Sequence, residues 1–223
     1  MPAAVFRPEV LDETGGVRWA TQASQSLGFG LHVVRDLEPR QALVMVGGKF
    51  VRELDPGELP ARPDGNWLNV LHQATGTTDE GALILAGQGT SGWSFAFDLS
   101  GLTAMDDEFD LPGMPGSTFR AKIVAQLPPG PLTRALFSCS VNGDEHLMFS
   151  DGSEDSMFRL AWTDTLPPEE FPPPLRPAAE AAGVHPDEND FDTYQGLRTI
   201  CALAGLAWTP EEFRNQRLAM GYF

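Results

Sequence analysis

The sequence predicts an α+β fold, in which a central antiparallel sheet of five or six strands carries covering helices and a C-terminal helical pair docks on the same core. Three observations predict it. Short alternating apolar runs bounded by turn residues recur along the chain. Nineteen prolines and 23 glycines punctuate it more densely than a helical bundle tolerates, and 42% hydrophobic residues in a chain of 223 supply a sizeable core. Helical spacing appears only in isolated stretches, most clearly near the end.

Residues 1–27 carry little pattern and predict a weakly ordered N-terminal arm, or a short helix around Arg18-Trp19-Ala20. Residues 28–223 are expected to form a single domain, with a division near 127–132 as the second choice. Phe29, Leu31 and Val33 alternate as in a strand, and Asp36-Leu37-Glu38-Pro39 opens a helix over 40–46 that ends at Gly47-Gly48. Pro56 to Asp64 is a loop, followed by a helical segment around Trp67, Leu68, Val70 and Leu71. Residues 82–86 and 93–99 predict a hairpin, its second strand placing Trp93, Phe95 and Phe97 on one core-facing side. A helix over 119–127 is expected next, closed by Pro128-Pro129-Gly130.

Runs at 134–141, 146–149 and 157–162 predict an antiparallel meander, because Asn142-Gly143 is a two-residue turn whose positions tolerate positive φ. A short helix over 178–182 stops at Gly183. Leu197, Ile200, Cys201 and Ala204 mark a helix over 194–204, and Thr209-Pro210-Glu211-Glu212 combines an N-cap with proline at the first helical position. These two helices are the expected C-terminal pair.

The strand and helix from Gly28-Phe29-Gly30 to Gly48, the hairpin with Gly92-Trp93-Ser94-Phe95-Ala96-Phe97, the turn Asn142-Gly143-Asp144 and the ending from Ala202 to Glu212 occur in an order that resembles a family of actinobacterial proteins carried as a domain of unknown function. The likeness spans roughly 27–213. It implies the fold and brings no catalytic residues with it. The proline-rich Phe171-Pro172-Pro173-Pro174 and the dense acidic segment depart from the family's pattern.

Charge is the strongest functional signal. Between Asp144 and Asp192, thirteen carboxylates face two arginines, a net of −11 within a total of −16. Such a field repels phosphate and attracts positive charge, so a basic protein partner is expected and direct nucleic-acid binding is not. No segment reads as a leader or a membrane span, and a cytoplasmic protein is expected, with Cys139 and Cys201 as free thiols. The two cysteines alone cannot build a zinc site.

Catalytic motifs are incomplete. Gly87-x-Gly89-x-x-Gly92 follows a strand but leads into another strand instead of a helix, so a hairpin accounts for it better than a dinucleotide site. Acidic groups at Asp106, Asp107 and Asp110, or at 187–192, offer carboxylates for a hard cation. Neither Asp187 nor Asp151 starts a calcium loop, since Asp192 and Ser156 stand where glycine is required. Asp144, Glu145 and His146 are the candidates for acid and base chemistry, Asp144 and His146 sharing one face of a strand. The reading is therefore a non-catalytic, immunity- or antitoxin-like binding protein with no cofactor. Asp151, Glu154, Asp155, Asp187, Glu188, Asp190 and Asp192 would meet the basic partner. The alternative is a cation-dependent hydrolase built on a carboxylate and histidine site.

Overall fold

The computed structural model describes residues 6–23, 29–61, 66–76, 82–90, 92–99, 119–125, 134–141, 144–151, 159–162, 176–185 and 193–223. The fold is α+β. Nine antiparallel strands form one sheet: β1 (Phe29–Arg35), β2 (Lys49–Leu54), β3 (Leu83–Gln88), β4 (Trp93–Asp98), β5 (Phe119–Ala125), β6 (Arg134–Val141), β7 (Asp144–Asp151), β8 (Arg159–Trp162) and β9 (Leu218–Tyr222). Their order is β2-β9-β3-β4-β1-β5-β6-β7-β8. Described helices are α1 (Arg18–Ala23), α2 (Pro39–Met45), α3 (Asn66–Thr75), α4 (Arg176–Ala181), α5 (Thr193–Ala204) and α6 (Pro210–Arg214).

The sheet has three more strands than the six runs read from sequence. Residues 119–125 form β5, paired with both β1 and β6, where a helix was expected. Tertiary pairing selects the two-residue period there: Phe119, Ala121, Ile123 and Ala125 alternate with Arg120, Lys122 and Val124. The second, β2, is a charged edge strand containing Lys49, Arg52 and Glu53, a composition that discourages pairing with another chain. The third, β9, lies between β2 and β3, so the chain continues past the helical pair into an interior strand. Leu218, Ala219 and Met220 are buried on both faces and show no polar alternation.

The sheet's first face carries the main core. Phe29, Leu31, Val33, Leu83, Leu85, Phe95, Phe97, Leu218 and Met220 meet residues of α1, α3, α5 and α6 there. Phe213 of α6 sits at the centre of the aromatic packing. It stacks on Trp19 at 4.4 Å and 4°, and on Trp67 at 5.7 Å. Residues 6–23 are part of this core: Val10, Val17, Trp19 and Ala20 are buried, and the Trp19 indole N–H donates to the Leu206 carbonyl at 3.1 Å. A segment expected to be a loose arm thus supplies a central tryptophan. The second face packs Leu43 and Val46, from α2 and its C-terminal end, over Ile84, Ala86, Ala96 and Ala219.

Helix ends follow their local chemistry. Pro39 opens α2, and the Gln41 side-chain oxygen accepts from the Glu38 N–H at 2.9 Å. At α6 the box is reciprocal, Thr209 Oγ1 accepting from the Glu212 N–H at 3.1 Å and a Glu212 carboxylate oxygen accepting from the Thr209 N–H at 2.7 Å. The β3–β4 hairpin docks on the end of α5, where the Thr90 N–H donates to the Ala204 carbonyl at 2.9 Å. Backbone contact this close explains the local glycines. A Cβ on Gly89 would lie 2.2 Å from the Ala204 oxygen, and one on Gly205, at φ +71°, would lie 2.0 Å from Thr90 Oγ1.

Candidate functional site

The β6–β7 hairpin holds the residues singled out for acid and base chemistry. Val141 pairs with Asp144, Ser140 with Glu145 and Cys139 with His146, in a register that runs unbroken to Arg134 and Asp151. Period-two geometry puts Asp144 and His146 on one face and Glu145 on the other. The trio is therefore split, and Glu145 does not join the other two on that face. In its place the register brings Cys139, directly opposite His146. On its far side His146 is paired with Trp162 of β8. Cys139 was missed because it lies seven residues from His146, yet the signal was there: reading Asn142-Gly143 as a two-residue turn, which lies outside the described residues, implies every pairing behind it.

Of the acidic candidates, Asp144, Glu145 and Asp151 are among the described residues. Asp144 opens β7 and Asp151 closes it, paired with Arg134. Seven steps of about 3.4 Å separate the two by roughly 24 Å. Glu154, Asp155, Asp187, Glu188, Asp190 and Asp192 lie outside the described residues, as do Asp106, Asp107 and Asp110.

Charged groups within the scaffold are engaged structurally. Burial raises the Asp12 carboxyl, but hydrogen bonds from the Thr14 and Thr21 hydroxyls and from the Gly16 and Thr14 N–H groups outweigh it and hold the carboxyl below its usual range. Glu58 is lowered by hydrogen bonds from Arg52 and from the Asp55 N–H. Four basic residues close in sequence are distributed over three elements. Arg35 ends β1, Arg40 of α2 lies 4.4 Å over the Phe50 ring, and Lys49 and Arg52 belong to β2, Lys49 standing 5.4 Å from the Tyr222 ring centroid.

Sequence reading also missed a buried polar set on the second face. His32, Ser94 and Asp98 are buried on β1 and β4, with Ser94 Oγ donating to the Leu37 carbonyl. Cys201 of α5 is fully buried, which pushes its thiol far up. Among the described residues no group of three His, Cys, Asp or Glu side chains is arranged to hold a metal, and no helix is long and apolar enough to cross a membrane. Gly87 and Gly89 lie in the β3–β4 hairpin, and a Cβ on Gly87 would lie 2.6 Å from the Phe95 ring, so these glycines serve packing. Comparison of the chain with known protein families, with characterised proteins and with solved structures finds no match.

Proposed function

We propose that the protein is a non-catalytic, cytoplasmic binding protein of the immunity or antitoxin kind that takes a basic protein partner through its acidic segment. The observation that supports this reading is the concentration of negative charge in the sequence, thirteen carboxylates against two arginines between Asp144 and Asp192. An unbalanced negative field accelerates encounter with a positive surface and disfavours nucleic acid. Asp187, Glu188, Asp190 and Asp192 precede α5, where negative charge also favours the helix N-terminus, so their effect on stability must be separated from their effect on binding. The resemblance to the actinobacterial family, and with it a bacterial origin, is part of the same proposal.

The test pairs capture with kinetics. Tagged protein and a variant carrying D187N, E188Q, D190N and D192N are used to recover partners from the source organism. The account expects a basic protein bound by the parent and depleted by the variant. Its association rate should fall at least about tenfold between low and physiological ionic strength. A partner held equally by both forms, with a rate indifferent to salt, contradicts the proposal.

A further inference from the structure

We draw no further inference here: the strongest candidate, the sheet edge at β2, where Lys49-Phe50-Val51-Arg52-Glu53 would match its own charges against an antiparallel second copy, carries nothing because the bulge between Phe50 and Arg52 puts Lys49 and Glu53, paired with Tyr222 and Ala219, on opposite faces.

Discussion

One carboxylate, that of Glu212, joins the N-terminal segment to the last helix. It accepts from the Thr209 N–H within the α6 capping box and from the Arg7 guanidinium at 2.6 Å, and these hydrogen bonds hold it below the usual carboxylate range. Because its folded pKa is depressed, the stability it contributes is present above the ordinary value of about 4.3 and is lost as pH falls through the folded value. Glutamine still accepts the capping bond but neither titrates nor pairs with Arg7. Glu212→Gln should therefore flatten the loss of stability below about pH 5 relative to the parent, as read by denaturant melts across pH; parallel acid limbs would contradict this. Gly89→Ala tests the close approach of the hairpin to α5. The clash with a backbone oxygen should cost about 1–3 kcal/mol, lowering Tm by several degrees, where an open turn would tolerate the methyl group.

Among the elements, α1 gives the clearest departure from expectation. Trp19 is 1% exposed, stacks on Phe213, meets Phe97 edge-on at 5.1 Å and satisfies its N–H at Leu206. Trp19→Ala should cost about 3–5 kcal/mol by chemical denaturation, whereas a loosely attached arm would lose little. The short helix at 18–20 was legible, but its partners were not, because Phe97, Leu206 and Phe213 are all remote from it in sequence. Elements whose cues are local were legible in the same way: the antiparallel pairing of 134–141 with the next strand, the Thr209-Pro210 start of α6 and the alternation of Trp93, Phe95 and Phe97. Those missed depend on distant neighbours. Phe119–Ala125 fits either period until β1 and β6 flank it, and Leu218–Tyr222 reads as a tail until β2 and β3 close on it. The candidate site was half legible, since Asp144 and His146 were identified but Cys139 became their neighbour only through register.

At the scale of the whole molecule, a nine-stranded sheet belongs to a chain with a net charge of −16, most of it between Asp144 and Asp192. Reading an acidic stretch from 144 to 192 merges residues that the sheet holds apart, since Asp144 and Asp151 stand at opposite ends of one strand. Partner binding should therefore respond to separate groups of carboxylates and not to their sum. Neutralising Glu154 and Asp155 as glutamine and asparagine should alter binding independently of the four changes at 187–192. Effects that add in free energy would mark two contact regions, while strong non-additivity would mark a single one.

The most direct test of the acidic segment as a partner-binding region measures stability and association on the same variant. With Asp187, Glu188, Asp190 and Asp192 neutralised, the account predicts a Tm within a few degrees of the parent and an association rate with the captured basic partner reduced at least about tenfold at low salt. A variant that unfolds, or one that binds the partner at the parent's rate, would contradict it.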